Sequence, residues 1–169
     1  VSLFIVDVEA DGPCPGLYSM TQLGIVLFDT HPPVTFHAHL RPITDRWVPE
    51  ALEVCKVTRE ETMAYPNAED AMRGMRNWLN LNSRGRPVFV SDNPAFDWQF
   101  VNYYCHLYLG SNPFGFSARR IGDFAAGLER NFFAAQHWKR LRRTPHTHNP
   151  VDDALGNAEA LKVLMGYCQ

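Results

Sequence analysis

Hydrophobic and polar positions recur along this chain with two different periods, and the change between them divides it. Residues 2–8 form a short apolar, β-branched run without helical period, the pattern of a strand covered on both faces. The cluster Gly12-Pro13-Cys14-Pro15-Gly16 marks a turn behind it. Residues 18–28 and 34–40 read as two further strands, the second alternating in character, with His31-Pro32-Pro33 as the turn of a hairpin or meander. From residue 47 the period becomes helical. Pro49 opens a short helix over 47–54, and a longer one over 67–81 sets Ala68, Ala71, Met72, Met75, Trp78 and Leu79 on one face. A compact strand over 88–90 follows. Asp92-Asn93-Pro94 then enters a helix that spaces Phe96, Phe100 and Tyr104 four apart, and residues 110–116 are loop. A last short strand over 119–123, a helix from Phe124 and a final helix over 152–165, with Pro150 ahead of it, complete the chain. Three strands followed by alternating helix and strand predict one mixed α/β domain over residues 1–169.

Composition narrows the class. A chain of 169 residues, 46% of them hydrophobic, buries a core without staples. Its formal charge of -2 and pI near 6.4 exclude a protein that grips nucleic acid by bulk positive charge, but not an enzyme that holds it at a local site. Cys14, Cys55, Cys105 and Cys168 lie far apart with no zinc-finger spacing, which suits reduced thiols in a cytoplasmic protein. No apolar run approaches the ~20 residues of a membrane span, and the opening VSLFIVDVEA lacks the basic start and cleavage site of a leader.

Four features carry candidate chemistry. Asp7 and Glu9, two apart on the first strand, share one face at its carboxyl end. Such a pair repels and loses water unless a cation offsets it; the plain alternative is a strand end emerging into solvent. Asp97 follows Phe96 at a helix start, where it also suits the helix dipole. Asp152 and Asp153 occupy the first turn of the last helix, and His148 lies five residues before Asp153 with His146 beside it. Hard oxygen donors on separate elements suit Mg²⁺ or Mn²⁺, and two such ions flank a scissile phosphate while a histidine accepts the proton of water.

Asp7-Val8-Glu9-Ala10-Asp11-Gly12, then Asn93-Pro94-Ala95-Phe96-Asp97, then His148-Asn149-Pro150-Val151-Asp152-Asp153-Ala154 resemble the three motifs of the DEDDh, or DnaQ-like, 3′–5′ exonucleases. That group includes oligoribonuclease, RNase T and polymerase proofreading domains. The three motifs stand in family order and span nearly the whole chain. Gln22-Leu23-Gly24-Ile25-Val26 also looks like the family's second strand. The resemblance implies a ribonuclease-H-like fold, a mixed five-stranded sheet flanked by helices. It implies that Asp7, Glu9, Asp97 and Asp153 bind two divalent ions, Mg²⁺ or Mn²⁺, and that His148 is the general base. The spacing of the family motif matches His148 rather than His146, since five residues beyond His146 stands Val151, and it matches Asp153 rather than Asp152.

The implied reaction is 3′–5′ hydrolysis of single-stranded or short RNA to nucleoside 5′-monophosphates. DNA is the alternative substrate, and an inactive nucleic-acid-binding module on the same fold the alternative function. Small stand-alone exoribonucleases of the RNase T and oligoribonuclease kind are the members most resembled, which also implies a homodimer. By the same resemblance the backbone of Ala10 to Gly12 approaches the 3′-terminal nucleotide, and Asn93 belongs to the second motif beside it. Ala10 stands where many members have Thr or a larger residue. Lys139-Arg140-Leu141-Arg142-Arg143 is the one basic cluster, and Arg142 and Arg143 are its candidates for phosphate contact. Tyr18 and Trp98 are candidates for base stacking, while Trp47, Trp78 and Trp138 are assigned to packing.

Overall fold

The computed structural model describes residues 1–167, so Cys168 lies outside the described residues. Five strands form one sheet: β1 (Ser2–Ala10), β2 (Met20–Leu27), β3 (Thr35–His39), β4 (Pro87–Ser91) and β5 (Ala118–Arg120), in the order β3-β2-β1-β4-β5. β1, β2 and β3 pair antiparallel, whereas β4 and β5 run parallel to β1. Six helices, α1 (Pro49–Val54), α2 (Arg59–Met63), α3 (Ala68–Asn82), α4 (Pro94–Leu109), α5 (Ile121–Glu129) and α6 (Pro150–Leu164), flank it, with two short 3₁₀ turns at Phe132–Ala134 and His137–Leu141. This is the mixed α/β, ribonuclease-H-like sheet expected from the sequence. Among the described residues no helix is long and apolar enough to cross a membrane.

Alternation along the central strand builds two cores. Phe4, Val6 and Val8 point to one face and pack with Met72, Met75 and Leu79 of α3 and Phe100 and Tyr104 of α4. Ile5 points to the other and packs with Ile121, Trp138, Ala154 and Leu161. A strand covered on both faces has no need of polar alternation, which is why its first residues read as a continuous apolar run. Beyond Ile5 the second face turns acidic, with Asp7 and then Glu9.

Three features depart from the pattern reading. β1 continues through Ala10, because its ladder with β2 persists past an irregularity between Glu9 and Ala10 to the Ala10–Met20 pair. The last strand ends at Arg120 and α5 begins at Ile121, where the sequence pattern placed the helix start at Phe124; Ile121 and Ala125 are helical residues buried on one face. α2 was not anticipated, although Thr58 and Glu61 form a capping box, each side chain accepting from the other residue's backbone N–H.

One glycine sets how closely sheet and helix approach. Gly24 pairs with Asp7 across β1 and β2, and a Cβ there would fall on the backbone of Pro150 and Val151. The start of α6 therefore rests directly on β2, beside the strand that carries Asp7. Gly inside a strand pattern is the sequence sign of such an approach.

Candidate active site

The acidic end of β1 meets two helix starts. Asn149 caps α6, accepting from the backbone N–H of Val151 and Asp152, with Pro150 in the first helical turn. That start, pressed against Gly24, places Asp153 beside Asp7 and Glu9: one carboxylate oxygen from each lies within 4.8 Å of the others. Asp97 arrives from the first turn of α4. β1 pairs with β4 only as far as Ile5–Val90, so the Val8 N–H beyond that point is left to a side chain, and Asp97 Oδ1 accepts it at 3.1 Å. Asp97 is buried and its charge acts on Asp7, but it is not one of the three residues of the 4.8 Å cluster.

Burial and mutual repulsion dominate the electrostatics. Burial, then the charges of Asp97, Glu9 and Asp153, holds the Asp7 carboxyl well above its ordinary value. Burial raises Glu9 to about 7, opposed by the Cys55 thiol that donates to its Oε2 at 2.9 Å. Burial likewise raises Asp97 to about 7. Hard oxygen donors crowded together at one strand end fit a divalent cation well.

The segment ahead of α6 wraps this cluster. Asp153 accepts from Arg142 Nη2 at 3.2 Å and from the backbone N–H of Thr147 and His148, each at 3.1 Å, and its Oδ1 lies 2.8 Å from His146 Nδ1. Glu159, one turn and a half further along α6, accepts from the N–H groups of Arg143 and Thr144. His148 sits half-exposed in this strap, with Nδ1 3.8 Å from Glu9 Oε1 and its backbone at φ 61, a left-handed conformation uncommon outside glycine. Burial and the neighbouring His146 lower its pKa.

Other assignments sort differently. Arg142 turns its guanidinium onto Asp153, bonding its carboxylate and also its carbonyl at 3.0 Å. Arg143 keeps an exposed side chain. Ala10 and Gly12 are buried, with the Tyr18 ring lying so close over Gly12 that a Cβ would overlap it. Asn93 is exposed and precedes Pro94, its carbonyl accepting from Phe96 and Asp97. Trp98 packs edge-on against Phe89, with ring centroids 5.1 Å apart, and so belongs to the core. Trp47, assigned to packing from sequence, is instead an exposed residue under the Arg59 guanidinium, 5.2 Å from its ring centroid.

Sequence reasoning missed three supports of this site. His146, compositionally a duplicate of His148, touches Asp153. Cys55 reaches Glu9 from 46 positions away in the chain. Asp11, fully buried, pairs with Arg59 at 2.7 Å and accepts the Ser19 N–H, locking the turn after β1. Cys55 and Arg59 lie 46 and 48 positions from their partners, beyond any short-range pattern, and composition alone does not separate His146 from His148.

Metal-free protein should lose stability as pH rises. Unfolded carboxyls titrate near about 4, and the folded values of Asp7, Glu9 and Asp97 are raised. The folded state therefore holds protons that the unfolded state releases, and the stability these groups contribute at low pH is lost as pH climbs from about 4 through about 7. Divalent ions compete with those protons. The rise in Tm on adding Mn²⁺ should be larger at pH 8 than at pH 5.5; an equal or smaller rise at pH 8 would contradict a carboxylate-held ion.

No family model matches the chain. A 3′–5′ DNA exonuclease of Escherichia coli, Cap18, is 34% identical over 168 residues, spanning 94% of this chain and 89% of its own. Among solved structures, the nuclease domain of 3′hExo, a DEDDh family member bound to rAMP, superposes with a TM-score of 0.77 at 17% identity, covering 99% of this chain and 93% of that one. E. coli ExoI in its zinc-bound complex with single-stranded DNA gives 0.72 at 16% identity over 98% of this chain, which spans 42% of that longer protein. The sheet order and the acidic end of its central strand define the class, a nuclease of ribonuclease-H-like fold. Within that class the chain belongs to the DEDDh superfamily of 3′–5′ exonucleases.

Proposed function

We propose that the protein removes nucleotides one at a time from the 3′ end of single-stranded DNA. The observation that carries this reading is the carboxylate cluster of Asp7, Glu9 and Asp153, with oxygens within 4.8 Å of one another and His148 at its edge. The expectation from sequence favoured RNA. The relative at 34% identity, named a DNA exonuclease, supports DNA as the first substrate and makes RNA the second.

In this reading residues 1–169 act as a single exonuclease domain, and Asp7, Glu9, Asp97 and Asp153 hold two divalent ions, Mg²⁺ or Mn²⁺. When bound, such ions polarise the scissile phosphate and activate the attacking water. His148 takes the water's proton on a ring nitrogen, and its lowered pKa leaves it unprotonated near neutral pH. The water oxygen bonds to phosphorus, the P–O3′ bond breaks and the leaving O3′ takes a proton from solvent, releasing a nucleoside 5′-monophosphate and a strand with a new 3′-hydroxyl. Arg142, His146 and the N–H groups of Thr147 and His148 fix the Asp153 carboxylate, and Cys55 fixes that of Glu9. An inactive binding module would have no use for this full set.

Matched 5′-labelled DNA and RNA, with free or blocked 3′ ends, test polarity, sugar and metal demand together. The expected result is stepwise shortening of free-ended DNA with Mg²⁺ or Mn²⁺ and none in EDTA. Degradation of blocked and free ends alike would refute the exonuclease reading. His148→Ala should slow the reaction by about 10²–10⁴-fold while leaving the metal-induced rise in Tm in place. An unslowed variant would remove His148 from the mechanism.

A further inference from the structure

Phe132 and Phe133 are 86% and 90% exposed, while the smaller Ala134 beside them is fully buried. Folding alone favours the reverse, so two large aromatic rings held in water point to a contact made outside the fold. They do not hang on a loose loop. Asn131 accepts the Phe133 N–H at 3.1 Å, and buried Trp138 donates its indole N–H to the Ala135 carbonyl at 3.0 Å. That carbonyl lies against Gly122 in the first turn of α5, closely enough that a Cβ on Gly122 would collide with it. The two rings stand edge to face, with centroids 5.8 Å apart.

The anchor places the segment relative to the active site. α5 starts at the carboxyl end of β5, and β5, β4 and β1 are parallel, so this is the end of the sheet that carries Asp7 and Glu9. From the phenylalanines the chain continues into a groove of about 330 Å³ lined by Lys139, Arg142, Arg143, Thr144, Pro145 and His146. Two of those residues, Arg142 and His146, touch Asp153. Lys139 is paired with Asp92 and His137 with Glu129, but Arg130, Arg140 and Arg143 make no ion pair among the described residues. Exposed aromatics among unpaired cations, continuous with a phosphate-cleaving centre, match a single polynucleotide strand in charge and in stacking chemistry.

We infer that residues 130–146 form a track for the substrate strand, with bases stacking on Phe132 and Phe133 and phosphates running along Arg130, Arg140 and Arg143 toward Asp153. The inference rests on the exonuclease reading of the site. It adds that the enzyme gains affinity from nucleotides upstream of the scissile bond, on one chain and without a partner.

The test compares a dT 20-mer with a dT trinucleotide. Phe132→Ala/Phe133→Ala should lower kcat/KM for the 20-mer about tenfold relative to that for the trinucleotide. Arg140→Gln/Arg143→Gln should flatten the salt dependence of 20-mer affinity, measured by fluorescence anisotropy in EDTA, by about one unit of log–log slope. Both substitution pairs are at exposed side chains, so Tm should hold. A wild type that degrades neither substrate overturns the exonuclease reading itself. An active wild type whose length preference survives in the phenylalanine variant overturns the track alone. A wild-type dimer that dissociates in that variant with length preference unchanged assigns the pair to self-association, which also overturns it.

Discussion

Replacing Asp7 by Asn is expected to lower nuclease activity by on the order of a thousandfold while raising the Tm of the metal-free protein at pH 8. The two effects have one cause. Burial and the charges of Asp97, Glu9 and Asp153 push the Asp7 carboxyl well up. Without a cation, ionising it works against the fold, so a neutral amide of the same shape relieves the strain. With a cation, the amide supplies a weaker ligand and the charge that holds the ion is gone. The rise in Tm on adding Mn²⁺ should shrink accordingly. Thermal melts with and without Mn²⁺, beside a digestion assay, check both halves. A variant that keeps wild-type rates would take Asp7 out of the site, and a lower metal-free Tm would mean that its charge is compensated by something other than a bound ion.

Gly24→Ala should destabilise the protein by about 3 kcal/mol and reduce activity beyond what the unfolded fraction explains. The added Cβ would fall on backbone, the carbonyl of Pro150 and the N–H of Val151, and no rotamer change can relieve such a clash. The start of α6 would have to lift from β2, moving Asp153 away from Asp7 and Glu9. Gly127→Ala is the matched comparison, since α5 leaves open space around that position and a helical Gly→Ala there should be neutral or stabilising. Urea denaturation of both variants measures the difference. Equal stabilities would show that the helix can recede from the strand at little energetic expense.

The acidic pair was legible because strand geometry is local. Positions 7 and 9 of an extended run share a face whatever the rest of the chain does. Asp153 was chosen over Asp152 by motif spacing, and one step along α6 separates a buried ligand candidate from a half-exposed residue whose carboxylate accepts the Thr147 hydroxyl. The same local logic mispositioned α5 by three residues, since Ile121 reads equally well as the end of a strand and the start of a helix.

What the sequence by itself determined is the list of parts: a strand covered on both faces that carries Asp7 and Glu9 at its end, a helix entered at Pro94 with Asp97 near its start, and a last helix behind Pro150 that carries Asp153. Periodicity, caps and prolines act within a few residues, so they survive in one dimension. The tertiary structure alone decided which groups surround those parts. Arg142 faces inward and His146 touches Asp153; Cys55 reaches Glu9, and Arg59 closes over Asp11. Each of these contacts depends on how separate segments pack, and packing follows from the whole set of buried faces, above all the close seat of α6 on Gly24.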